Sequence, residues 1–94
     1  MRIVAELSLE PIGSGSSMKT EISEAVKILR QCGLKHEVHA LSTTVEGEWE
    51  DVVGCVRRCH ERLLQMGVPR VLSTLKIETR SDKPASMERQ KHVA

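Results

Sequence analysis

Ninety-four residues, 39% of them hydrophobic and 29% charged, suffice for one modest core and are too apolar for a disordered chain, so a single domain over residues 1–94 is expected. Fourteen basic against thirteen acidic side chains leave a net charge of +1, which excludes the electrostatic footprint of a nucleic-acid binder and suits a small, weakly charged ligand. Arg2 and Glu6 interrupt the first apolar run, so neither a signal peptide nor a membrane span is expected and the protein is placed in the cytoplasm.

Arg2 to Glu10 alternates, with Ile3, Ala5, Leu7 and Leu9 on one face and Val4, Glu6, Ser8 and Glu10 on the other, the period of a strand. Turn residues follow from Pro11 to Ser16, and a helix is predicted from about Ser17 to Cys32. Its apolar stripe is Met18, Ile22, Ala25, Val26 and Leu29, and Gly33 ends it. Lys35–Leu41 and Ser42–Glu46 are two β-rich pieces with no Gly or Pro between them, read as a hairpin or a bent strand. A second helix is predicted from Glu48 to Met66, burying Trp49, Val52, Val53, Val56, Cys59 or His60, and Leu63, with Gly67 and Pro69 as its stop. Arg70 to Thr79 alternates again, Arg80 to Pro84 reads as a charged loop, and Ala85 to Val93 as a short polar helix.

The order β-α-β-β-α-β is that of the α+β, ferredoxin-like two-layer sandwich, with both helices on one sheet face. The other face is then bare of helices and carries Val4, Glu6, Ser8, Thr74, Lys76 and Glu78, joined by His39, Thr44 and Glu46. Such a face is either solvated or shared between subunit contact and a polar ligand cleft, and pattern alone does not separate the two. Exposed strand edges in so small a domain favour self-association to a dimer or tetramer.

Gly13-Ser14-Gly15-Ser16-Ser17 precedes a helix but lacks both the third glycine of a dinucleotide fingerprint and the Gly-Lys-Ser/Thr ending of a P-loop, so it reads as a surface turn. His36 and His39 are three apart, which on a strand points them to opposite faces and argues against a joint metal site. Cys32, Cys55 and Cys59 are an odd count without an export signal, so reduced structural thiols are expected and no base for a catalytic cysteine is apparent. Glu46-Gly47-Glu48-Trp49-Glu50-Asp51 sets four carboxylates around the sole aromatic side chain at a strand-to-helix junction. Helix-dipole chemistry explains the acids, and core-edge packing explains Trp49. The functional alternative has Trp49 offering a π face to a flat or cationic ligand and Glu46 an acceptor.

The N-terminal strand leading into Pro11–Ser17, then Gly33–His39, Thr43–Trp49, and Lys76-Ile77 before Arg80–Pro84 together resemble a family of small thiamine-binding proteins, over nearly the whole chain. The resemblance implies a ferredoxin-like fold, assembly into dimers and tetramers, and binding of thiamine or its hydroxymethylpyrimidine part at a subunit interface. It implies no known catalytic activity; no metal or cofactor is expected, with thiamine as ligand. Ala40, Thr79 and Ser81 depart from residues common among relatives. The aminopyrimidine presents a ring-nitrogen acceptor and an amine donor that Ser8, Thr44 and a carboxylate, Glu6 or Glu46, match, while the thiazolium cation suits a carboxylate or the face of Trp49, with Thr43, close to Trp49 in sequence, as a further candidate contact. A carrier or sensor is the expected role, and an oligomeric scaffold with a fully self-occupied sheet face is its rival.

Overall fold

Strand β1 spans Arg2–Ile12, helix α1 Lys19–Gln31, strands β2 and β3 Lys35–Val38 and Thr43–Glu48, helix α2 Trp49–Gln65, and strand β4 Arg70–Glu78. This computed structural model describes residues 1–13 and 19–88. The four strands form one sheet in the order β2-β3-β1-β4, with every neighbouring pair antiparallel. Order and topology are those of the expected ferredoxin-like α+β fold.

Both strand periodicities translate into register. Ile3 lies opposite Gly47, Ala5 between Val45 and Ile77, and Leu7 between Thr43 and Leu75, so odd positions of β1, β3 and β4 share the face under the helices. On it, Ile3, Ala5 and Val45 pack with Ala25 and Leu29 of α1 and Val52, Cys55 and Cys59 of α2. Each fully buried Leu or Ile stabilises the fold by about 2 kcal/mol. Gly47 belongs to this layer because of crowding: a Cβ there would stand 2.9 Å from Leu34 Cδ2 and 3.5 Å from Val52 Cγ2.

The buried stripe of α2 is narrower than predicted, namely Val52, Cys55, Cys59 and Leu63. Trp49 and Val53 are 39% and 38% exposed, because Trp49 opens the helix before its first full turn reaches the core. Helix α2 begins after Glu48, which is extended and lends no side-chain cap; the Trp49 N–H donates to the Met1 carbonyl at 2.8 Å instead. In α1, Ala25 and Leu29 are buried while Ile22 stays 37% exposed. Met18 lies outside the described residues. The stretch after Leu34 is a hairpin, its four-residue link closed by the His39 N–H to the Ser42 carbonyl at 2.8 Å.

Three sequence expectations change. Strand β1 runs to Ile12 rather than Glu10, held by β4 through Pro11 opposite Val71 and Ile12 opposite Arg70. The sheet face away from the helices is not wholly bare: Ala85 and Met87 return across it and cover Val4, all three being nearly inaccessible. A helical turn starts at Met87, while residues 89–93 of the predicted C-terminal helix lie outside the described residues. Finally, the thiols are not all reduced. Cys32, just past α1, and Cys55 of α2 form a disulfide with Cα atoms 6.1 Å apart, leaving Cys59 as the buried free thiol. The odd cysteine count carried no information about this pairing, which arises from how α1 packs on α2 and brings the two backbones within bridging distance.

Candidate functional site

The unequal pairing of β1 on its two sides creates the main cleft. Strand β3 accompanies β1 only from Arg2 to Leu7, whereas β4 follows it to Ile12. Among the described residues no strand partners the edge of β1 turned toward the hairpin beyond Leu7, a stretch where the missing N–H of Pro11 is tolerated. The hairpin link His39–Ser42 and helix α1 stand off from this edge and enclose about 460 Å³, within the size range of small-molecule sites. The walls are apolar, from Leu7, Leu9, Ala25, Val26, Leu29 and Val38. Polar groups converge at the rim from Ser8, Glu10, His39, Ser42 and Thr43. The Ser8 hydroxyl donates to the Leu41 carbonyl at 3.4 Å, tying β1 to the hairpin tip, and Leu41 itself is 91% exposed.

A second, shallower groove of about 420 Å³ lies on the opposite sheet face among Val4, Glu6, Thr44, Lys76 and Glu78. Glu6 sits opposite Thr44 on one side and Lys76 on the other, an acid and a base side by side on one pleated surface.

The sequence-derived site residues therefore fall in three places. Ser8 and Thr43 line the cleft beside α1. Glu6 and Thr44 line the groove on the far face. Glu46 and Trp49 line neither of these two concavities. Trp49 follows the far end of β3 from Thr43, about 20 Å away at the rise of an extended strand. Glu10 and His39, at the rim, were not singled out as ligand contacts; the signal that finds them is the overhang of β1, which appears only when strand pairing is known.

Glu46 is 7% exposed and is engaged within the chain. Its Oε1 accepts the Met87 N–H at 2.9 Å, and its Oε2 accepts from the Arg2 guanidinium. Burial pushes its carboxyl upward, but the Met87 N–H, Arg2 and the nearby Lys35 charge outweigh that and hold it below the ordinary carboxylate range. Lys35 also pairs with Glu88, so Glu46 and Lys35 together pin the returning segment to the sheet.

Other polar clusters offer less. His60 Nδ1 and Ser73 Oγ are 2.6 Å apart between α2 and β4, and His36 Nδ1 lies 2.8 Å from the Leu34 carbonyl. Among the described residues no group of three His, Cys, Asp or Glu side chains converges to hold a metal ion. No helix among them is long and apolar enough to cross a membrane. Of the Gly13–Ser17 turn only Gly13, with φ of 81°, is described.

The chain is 36% identical to a UPF0045 protein of Synechocystis over 94% of its own length and 73% of the relative's. The crystal structure of the Methanocaldococcus jannaschii protein MJ1052 superposes with a TM-score of 0.91 at 33% identity, covering 98% of this chain and 94% of that one. A Thermotoga maritima protein proposed to act in thiamine biosynthesis or salvage shares the fold, with a TM-score of 0.83 at 22% identity over 100% of both chains. The family model described as thiamine-binding protein matches residues 5–93, and the chain belongs to that family.

Proposed function

We propose that this protein binds thiamine, or its hydroxymethylpyrimidine part, in the cleft between α1, the hairpin link and the overhanging end of β1. The observation that carries the reading is the edge of β1 beyond Leu7, unpaired among the described residues, running along an apolar cleft. A strand edge offers peptide N–H and C=O groups in alternation. An aminopyrimidine has the complementary pair, a ring-nitrogen acceptor beside an exocyclic amine donor. Thr43 and Ser8 add hydroxyls that both donate and accept, and the flat ring is desolvated against Leu9, Val26 and Leu29.

The reading is of binding without turnover, in keeping with a family named for what it binds. We place the protein in the cytoplasm as a carrier or sensor. Self-association through the far sheet face and the edge of β4 is part of the proposal, supported by Leu72, which is 50% exposed on that face beside Glu10.

Calorimetry against thiamine, hydroxymethylpyrimidine and thiamine phosphate tests it. Saturable binding of the first two, with thiamine recovered intact afterwards, is expected. No heat with either compound, and no shift in melting temperature, overturns the reading.

A further inference from the structure

The disulfide between Cys32 and Cys55 has two unlike ends. Cys55 is 3% exposed within the core, whereas Cys32, one residue past α1, is half-buried. The Arg58 guanidinium donates to Cys32 Sγ at 3.5 Å and to the Gln31 side-chain carbonyl at 3.3 Å, which fixes a cation against the more accessible sulfur. An accessible sulfur beside positive charge exchanges, while a buried one resolves.

We propose that Cys32 is a redox-modification site for small disulfides of the glutathione type, with Cys55 as the resolving cysteine and Arg58 offsetting the charge on the exchanging sulfur. In the oxidising direction the Cys32 thiolate attacks one sulfur of RSSR, the S–S bond breaks and RS⁻ departs. Deprotonated Cys55 then attacks Cys32 Sγ of the mixed disulfide, the protein disulfide forms and a second RS⁻ departs. The two cysteine thiols give up two electrons and two protons, and RSSR takes them to become two RSH. A dithiol reductant reverses the sequence, entering at Cys32. Cys59, one helical turn from Cys55, takes no part: burial pushes its thiol up to about 11, and its S–H donates to the Ala25 carbonyl at 3.6 Å.

The exchange has a mechanical consequence. Helix α1 provides Ala25, Val26 and Leu29 to the cleft wall, and Leu29 lies one turn before Cys32. The disulfide clamps that end of α1 to α2, so oxidation fixes the wall and reduction releases it. This coupling rests on the thiamine reading; the exchange chemistry does not.

Both parts are tested on the full chain with oxidised glutathione. With three cysteines in the chain and one of them free in this structure, oxidised wild type should show one thiol on denaturation and three after reduction. Cys55→Ser should collect one glutathionyl group, mapped to Cys32, and Cys32→Ser should be modified about tenfold more slowly. Arg58→Gln should slow glutathionylation of the Cys55→Ser background by about threefold or more. Three thiols persisting in treated wild type, or equal rates for the two serine variants, would overturn the exchange site. An unchanged rate with Arg58→Gln would overturn its charge role. Thiamine affinity should be at least about threefold weaker in reduced than in oxidised wild type and indifferent to reductant in Cys32→Ser. Equal affinities in the two states would overturn the coupling. Absence of thiamine binding in both would sink the thiamine reading and the coupling with it, while the thiol counts still decide the exchange chemistry.

Discussion

Thr43 opens strand β3 and Trp49 opens the helix that follows its other end, one 9% exposed at the cleft and the other 39% exposed beyond the sheet's far corner. Thr43→Val keeps the volume and removes a hydroxyl, so thiamine affinity should fall by about 5–10-fold, one lost hydrogen bond, with little change in melting temperature. Trp49→Leu should do the reverse, lowering the melting temperature and leaving affinity per folded molecule unchanged; calorimetry on both variants checks the contrast. Glu46 makes a third case, because it works within the chain. Its folded-state ionisation lies below the unfolded value of about 4.3, so its contribution to stability is present above that pH and is lost as pH falls through the lower folded value. Glu46→Gln should therefore cost about 1–3 kcal/mol at neutral pH, and the gap to wild type should close below about pH 4, as read by urea unfolding across that range.

At the scale of elements, glycines of α1 and α2 separate conformational need from mere space. Gly33 ends α1 at φ of 70° with nothing within 4 Å of a Cβ, so Gly33→Ala should destabilise by about 1 kcal/mol through backbone strain alone. Gly54 sits inside α2, exposed and with equal room. Gly54→Ala should stabilise by about 1 kcal/mol, and paired denaturation curves read both. The two-residue alternation from Arg2 and from Arg70, and the three-and-four spacing from Ile22 to Leu29 and Val52 to Leu63, made the first and last strands and both helices legible in the sequence, while Lys35–Glu46 read as a hairpin or a bent strand. The hairpin link escaped because His39-Ala40-Leu41-Ser42 contains no residue that demands a turn. Cover over Val4 escaped because Ala85 and Met87 lie in a short polar stretch whose pattern does not say which face of the sheet it meets. For the cleft, Ser8 and Thr43 could be picked out by their hydroxyls. Glu10 and His39 could not, since their proximity depends on β3 stopping opposite Leu7 while β4 continues to Ile12. The bridge between Cys32 and Cys55 likewise depends on helix packing that no spacing within one helix reveals.

For the whole molecule, the far sheet face combines Leu72 at 50% exposure with Glu6 and Lys76 at opposed positions of neighbouring strands, a surface suited to a second copy of the chain. Light scattering at micromolar concentration should report a dimer or tetramer, and Leu72→Glu should shift it toward monomer; a wild-type monomer would refute the assembly. The position of the single aromatic side chain also decides what optical spectroscopy can see. With no tyrosine in the chain, all near-ultraviolet absorbance and emission from aromatic rings comes from one indole at the corner where α2 begins, distant from the cleft within its own subunit. Its emission should follow unfolding closely and stay silent as thiamine saturates the protein, so ligand titrations followed by tryptophan fluorescence would look like an absence of binding while calorimetry on the same sample records heat.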